Sequence, residues 1–470
     1  MRPPPLPRAV PTALLSVLVV VAVATGGCAP ASLVPAPYAL RGDAGRASMD
    51  AVPEWLKTPG IPVMYVTDRA PLEADGHGLR YGFGRNVALC WGTALVEPGP
   101  ALTWEEMVEA STGGPRKGPL LLSVKNVEQA GSFVPISERL EPRDGVLHAR
   151  SGSREALMAE HRAIAATMDR WLDASPTKDA YIFVHGFNNT FDDALLRFAQ
   201  VWHFAGRPGV PIVYTWPAGS PGLLNYAYDR ESGEFTVVHL KLLILAVAAN
   251  PKVERINIIA HSRGTDVAVT ALRELNAEAR GLTGQTLLSL VAPPSTATAA
   301  PAAPAMPDPE LGDLPVAQSR RTPDAKDILK IRNVVLAAPD IDVDVFQQRY
   351  FAENLPRASE RIIIYFSNKD AAIAAADWLF GSRVRLGALA AEDIKPELRS
   401  RLSKLDCIEA VNCKVISTSS HAYLFEHPAA LSDLVLLLRD NARPGEGRPL
   451  ARPTEGIWEI DDSYMKPATP

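Results

Sequence analysis

From residue 178 onward the chain alternates short, almost wholly apolar runs with segments of helical period. "DAYIFVHG", "PIVYTWP", "RINIIAHS", "IRNVVLAAPDID", "RIIIYFSNKD" and "CKVISTS" read as strands. "TFDDALLRFAQVWHFAG", "FTVVHLKLLILAVAA", "GTDVAVTALREL" and the closing "PAALSDLVLLLRD" read as helices. Thr190 is placed to cap the first of these, with Asp192 and Asp193 in its first turn. Strands apolar on both faces must be covered on both faces, and strand–helix alternation joins parallel strands by right-handed crossovers. The pattern predicts an α/β fold: a mostly parallel central sheet flanked by helices.

Upstream, "IPVMYVTDRAP", "NVALCWGTALVE" and "PLLLSVKNVEQ" read as additional N-terminal strands within residues 59–150. "SREALMAEHRAIAATMDRWLDA" has helical spacing through Leu157, His161, Ile164, Met168 and Leu172. One domain over 59–445 follows, with its core at 178–440. Of the 470 residues 47% are apolar, enough to fill so large a core. Three segments stand outside it. Residues 29–58, rich in Pro, Ala and Gly, read as a tether. Residues 292–326, dense in Pro and Ala, read as a disordered or loosely draped insertion. The Pro- and Gly-rich residues 446–470 read as a flexible tail. A net charge of −5 without a basic run argues against nucleic acid as a partner.

Residues 1–28 read as a signal peptide: Arg2 and Arg8, the apolar "AVPTALLSVLVVVAVA", then "TGGC" ending at Cys28. A cysteine after small residues resembles the lipobox of bacterial lipoproteins, although Thr25 stands where that pattern prefers leucine. The resemblance implies an exported, lipidated protein on a membrane surface facing the periplasm or cell exterior. A cleaved, secreted form and an uncleaved anchor are the alternatives. Cys90 reads as a core residue of a strand. Cys407 and Cys413 enclose "CIEAVNC", read as a short loop, and either pair there or remain reduced. No Cys/His spacing suggests a metal, and no cofactor is expected.

In a parallel sheet the loops at the carboxyl ends of strands converge on one crevice. Those ends carry His185-Gly186-Phe187-Asn188, Trp216-Pro217, His261-Ser262-Arg263-Gly264, Asp340 and Asp342, Asp370, and Ser419-Ser420-His421. A serine, several acids and a histidine arrive there in the chain order Ser, Asp, His.

The strand–"AHSRG"–helix unit resembles the nucleophile elbow, G-x-S-x-G, of the α/β-hydrolases, and "VHGFN" resembles their oxyanion loop. With "VMYVTDRAP", "WPAGS", "YDRES", "LAAPDID" and "SNKD", the chain looks like a bacterial branch of that superfamily long catalogued as a domain of unknown function with predicted esterase or lipase chemistry. The resemblance covers most of residues 60–440. Ala260 stands at the first glycine of the elbow; Gly264 keeps the second. The resemblance implies a serine hydrolase acting on a small-molecule or lipid carboxylic ester. Ser262 would be the nucleophile, His421 the general base and acid, and Asp370 the acid that orients it, with Asp340 or Asp342 as alternatives. Backbone N–H groups of Phe187 and Arg263 would form the oxyanion hole.

Other readings stay open at this point. Ser262 alone could cap a helix, and so could His421; His427 competes with it from further into the next element. His185 reads as orienting the oxyanion loop, with Gly186 and Asn188 shaping it. His261 reads as structural, and Trp216 as pocket wall or core. "YDRES" reads as capping a helix that begins near Gly233, with a substrate role for Arg230 as the alternative. The same triad could serve a thioesterase, amidase, peptidase or acyltransferase, or the scaffold could bind without catalysis.

Overall fold

The computed structural model describes residues 31–72, 78–219, 225–279, 325–349, 353–370, 373, 385–415 and 421–466. The leader with Cys28 and residues 292–324 of the expected insertion lie outside these. The last two residues of that interval, Ala325 and Lys326, open a short helix, Ala325–Leu329.

The strands, in chain order, are β1 Ile61–Pro71, β2 Tyr81–Gly99, β3 Leu121–Phe133, β4 Leu140–Arg143, β5 Val146–Ala149, β6 Asp179–Val184, β7 Val210–Thr215, β8 Arg255–His261, β9 Ile331–Ala337, β10 Arg361–Phe366, β11 Ile408–Cys413, β12 Arg443–Pro444, β13 Gly447–Arg448, β14 Ala451–Thr454 and β15 Ile457–Ile460. One large sheet takes them in the order β14-β15-β11-β10-β9-β8-β6-β7-β1-β2-β3. From β15 across to β1 neighbouring strands run parallel; β2, β3 and β14 add antiparallel ends. β6, β7, β10 and β11 are buried along their whole length, as strands covered on both faces must be.

Alternation along β6 separates the two helical layers. Phe183 stacks on Phe198 of the helix Phe191–Phe204, and the Tyr181 hydroxyl donates to the Leu438 carbonyl of the helix Pro428–Asp440. Val184 points the other way, beside its register partner Tyr214, whose hydroxyl donates to Thr236 O of the helix Asn225–Ala249. From Leu242 to Ala248 that helix is wholly apolar and buried, and it packs against the helices Gly264–Ala279 and Ser153–Ala174. The Thr190 cap is present as a reciprocal capping box with Asp193.

The chain direction across the sheet reverses at β6. β7 lies on one side of it; β8, β9, β10 and β11 proceed on the other. Such a switch point opens a crevice at the carboxyl ends of the flanking strands. Here those are β6 and β8, in register with Val184 opposite Ala260.

Three sequence expectations are corrected. Residues 29–58 are not a free tether over their described part. Leu33 N–H donates to Leu120 O, Leu122 N–H to Ala31 O, and Leu40, Met49, Val52 and Leu56 are buried around the helix Asp43–Asp50. The described part of the expected tail, residues 446–466, is not loose, since β15 pairs with β11. The buried Arg448 faces Asp433 and Glu409, and the Tyr464 hydroxyl donates to Asp433. "CIEAVNC" is not a loop but contains β11, which ends at Cys413, the first residue of the expected strand "CKVISTS"; residues 416–419 of that stretch lie outside the described residues. Glu409 of β11 pairs with Arg361 and Arg448 inside the protein. Cys407 and Cys413 flank this extended strand, about 20 Å apart at roughly 3.3 Å per residue, and form no disulfide. Cys90 is buried in β2 as expected.

His161 is buried edge-on against Phe133 with neither ring nitrogen hydrogen-bonded. Burial, reinforced by Arg139, pushes its pKa down to about 4. The unfolded chain takes up this proton near the ordinary value of about 6.5, so the site's stabilisation is complete above that pH and lost as pH falls toward 4. His161→Leu should flatten the fall in stability between pH 7 and 4.5 by on the order of 2 kcal/mol, a few degrees in Tm. Parallel Tm–pH curves for the two proteins would contradict this.

Candidate active site

β8 ends at His261, and the chain turns through Ser262 directly into the helix Gly264–Ala279. Ser262 has φ +52°, a left-handed conformation that a non-glycine residue holds only when its surroundings impose it. Its N–H donates to Ala337 O at 2.9 Å; its carbonyl accepts from Thr265 N–H at 3.0 Å and from the Thr265 hydroxyl at 2.6 Å. The loop after β6 presses against this turn. A Cβ on Gly186 would fall 2.6 Å from Ser262 Cβ, and one on Gly264 would fall 2.3 Å from His185 O. Glycine is required at both positions. Ala260 is fully buried in the strand below.

His185 anchors the loop after β6. Its Nε2 faces two donors, Trp216 N–H at 3.1 Å and Arg69 Nη2 at 3.3 Å, so it carries no proton. Nδ1–H then donates to Gly186 O at 2.9 Å. The ring is neutral; burial, then Arg69, hold its pKa well below the usual histidine range. Trp216 stacks flat on His185 and donates to its carbonyl at 2.7 Å, so it is core support for this loop.

Two charged residues hold the next peptide units. Arg69 of β1 is buried and donates to Asn189 O at 2.7 Å, Ala218 O at 2.8 Å and the Thr215 hydroxyl at 2.7 Å. Burial lowers its pKa to about 10, leaving it charged at neutral pH. Asp229 accepts from Asn188 N–H at 2.9 Å and Gly219 N–H at 3.2 Å. Asn188 has φ +54°. The expectation that "YDRES" caps a helix near Gly233 is thereby corrected: the helix already runs from Asn225, and Asp229 points from it to the loop. Arg230 is exposed. The roles of Arg69 and Asp229 were not read from the sequence. A charged pair in the otherwise apolar "VMYVTDRAP" and an acid in "YDRES" were the available signals.

His421 Nδ1 donates to Asp370 Oδ2 at 2.9 Å. Asp370 is buried and also accepts from Ile373 N–H at 3.1 Å, while the His421 side chain is a quarter exposed. The other acids are engaged elsewhere. Asp340 pairs with Arg385, and Asp342 caps the helix Val343–Gln347. His261 Nε2–H donates to His421 O at 3.2 Å, tying the residue before Ser262 to the backbone of His421. Burial, then His421, hold the His261 pKa well below the usual range. His427 caps the helix Pro428–Asp440 and lies 3.1 Å from Asp462. Phe187 is half-buried, and Ser419 and Ser420 lie outside the described residues. A cavity of about 420 Å³ between Phe346, Ile364, Phe366, Leu386 and Leu398 borders Asp342 but includes neither Ser262 nor His421. Among the described residues no three His, Cys, Asp or Glu side chains are placed to hold a metal ion.

Comparison with curated proteins and with solved structures finds no match. A family model described as an alpha/beta hydrolase of unknown function, DUF900, matches residues 160–439, more than half of the chain. That span runs from the helix before β6 to the helix bearing Asp433, and so holds both turns at the switch point and the His421–Asp370 pair. The sheet order and the family match agree: the chain belongs to the DUF900 family and has an alpha/beta hydrolase fold.

Proposed function

We propose that the protein is a serine hydrolase that cleaves carboxylic esters through an acyl-enzyme. The observation that carries this reading is the left-handed backbone of Ser262 in the strand-to-helix turn at the switch point, the strained turn by which a nucleophile elbow presents its serine. The His421–Asp370 hydrogen bond supports it, because with Nδ1–H committed to the carboxylate, Nε2 keeps a lone pair for a proton.

In this reading Ser262 Oγ attacks the ester carbonyl carbon as its proton passes to His421 Nε2. The carbonyl oxygen becomes an oxyanion and takes hydrogen bonds from the N–H groups of Phe187 and Arg263. Collapse expels the alkoxide, which takes the proton from His421, and leaves an acyl group on Ser262. Water then repeats the sequence: His421 accepts its proton, and Ser262 leaves with that proton as the acid departs. Asp370 stabilises the transient imidazolium without being protonated. Arg69 and Asp229 act through the oxyanion loop and are positioning residues.

Hydrolysis of a 4-nitrophenyl ester by Ser262→Ala should fall by on the order of a millionfold with thermal unfolding unchanged. Near wild-type activity in this variant would remove the assignment. Asp370→Asn should lower kcat roughly 10⁴-fold, whereas Asp340→Asn loses its ion pair with Arg385 and should show mainly a lower Tm. The reverse pattern would make Asp340 the orienting acid. Asp229→Ala should lower kcat about 10- to 100-fold per active site titrated with a fluorophosphonate, with little change in KM, because a displaced oxyanion donor weakens transition-state binding. A lower Tm with unchanged kcat would reduce Asp229 to a structural role.

A further inference from the structure

The acids that hold the site together each face a basic partner. Asp370 faces His421, Asp340 faces Arg385, and Glu426 lies 3.6 Å from Arg197. Asp229 shares the oxyanion loop with Arg69. Asp266 departs from this balance. One of its oxygens pairs with Arg349, and the other lies 3.1 Å from Arg263 Nη2. Two guanidinium groups thus share one carboxylate, leaving one positive charge beside the proposed nucleophile without a carboxylate of its own among the described residues.

Arg263 is also short of partners. It is 9% exposed, its Nε is buried with no hydrogen-bond acceptor, and the Asp266 pair is the contact its guanidinium makes among the described residues. A buried donor without an acceptor is costly, more so when charged, unless a ligand satisfies the group. The side chain lies against the helix Asn225–Ala249 at Gly233, where an added Cβ would sit 4.0 Å from Arg263 Nε. Asp229, one turn earlier on that helix, holds the oxyanion loop. The guanidinium therefore lies between this helix and the helix that begins at Gly264, one turn along from the residue that holds the oxyanion loop. The N-terminus of the helix Gly264–Ala279 adds partial positive charge in the same place.

The geometry assigns Arg263, supported by Arg349, to an anion subsite, so that the preferred substrates are esters carrying a carboxylate or phosphate near the scissile bond. This inference rests on the serine-hydrolase reading for its substrate. The positive charge excess and the unsatisfied guanidinium do not depend on it. Asp266 tempers the subsite: it holds both arginines in place and lowers their combined charge to that of one.

The test compares matched esters. On the acyl side, mono-4-nitrophenyl adipate is set against 4-nitrophenyl hexanoate. On the alcohol side, 4-acetoxybenzoate and 4-acetoxyphenyl phosphate are set against methyl 4-acetoxybenzoate. In at least one arm the anionic ester should have a kcat/KM roughly 10- to 100-fold above its neutral partner, the strength of a charge-assisted contact. The arms separate acyl from alcohol placement and carboxylate from phosphate. Arg263→Gln should bring that ratio near one and Arg263→Lys should keep part of it. Asp266→Asn should raise it, an opposite sign that general damage to the site does not produce. A ratio near one in every arm, or an equal loss on neutral and anionic esters in Arg263→Gln, overturns the subsite. Binding supplies a readout free of turnover: Ser262→Ala protein should bind mono-4-nitrophenyl adipate or 4-acetoxybenzoate at least tenfold more tightly than the neutral partner, and Ser262→Ala/Arg263→Gln should not. If that difference appears while no ester is turned over by the wild type, the anion subsite stands and the hydrolase reading falls. If neutral esters are turned over and the difference is absent, the subsite falls alone.

Discussion

Two backbone turns at the reversal of strand order approach so closely that neither accepts a Cβ. Gly186 faces Ser262, and Gly264 faces the carbonyls of Val184 and His185. This contact forces Ser262 into a left-handed conformation while the Ala337 carbonyl holds its N–H from β9. The strain is sustained because β6, β8 and β9 are locked in register below it, with side chains buried on both faces. A strained turn on a rigid sheet fixes a side chain more closely than a loop does. The sheet thus converts apolar burial along three strands into the placement of one hydroxyl.

The surrounding layer uses charge in a medium where charge is costly. Among the described residues the hydrogen bonds of Arg69 reach no carboxylate; its donors go to carbonyls, a hydroxyl and the His185 ring around the crevice. Asp229 accepts from backbone N–H groups of the same loops. Each ion is buried against backbone dipoles that it orients, and each attracts the other across the loop. Removing either leaves unsatisfied peptide groups where the oxyanion hole is proposed, so the penalty falls on the site rather than on the core.

The turns that carry His185, Ser262 and Asp370 could be read from the sequence because each follows an apolar run of strand length, β6, β8 and β10. Their convergence follows from parallel topology alone, so the neighbourhood of Ser262, Asp370 and His421 was also legible. What could not be read depends on partners far along the chain. β11 carries Glu409 and Asn412, which look like loop residues until Arg361 and Arg448 meet Glu409 inside the protein. Residues 31–58 and 446–466 look like linkers until Leu40, Met49 and Tyr464 find their cavities. Strand order favours Asp370 among the acids after the strands but leaves Asp340 and Asp342 as alternatives. Only three-dimensional contacts separate an ion pair with Arg385, a helix cap and a partner of His421. Arg69 and Asp229 were missed for the same reason: their roles lie in loops that the sequence does not place beside them.

The claim that Ser262 is an activated nucleophile has a direct chemical test. The full-length protein is treated with a fluorophosphonate, digested and analysed by mass spectrometry. The account predicts a stoichiometric phosphonyl adduct on the peptide containing Ser262, absent in Ser262→Ala and strongly slowed in His421→Gln. An unmodified Ser262 in folded protein, or equal labelling of other serines, would contradict it.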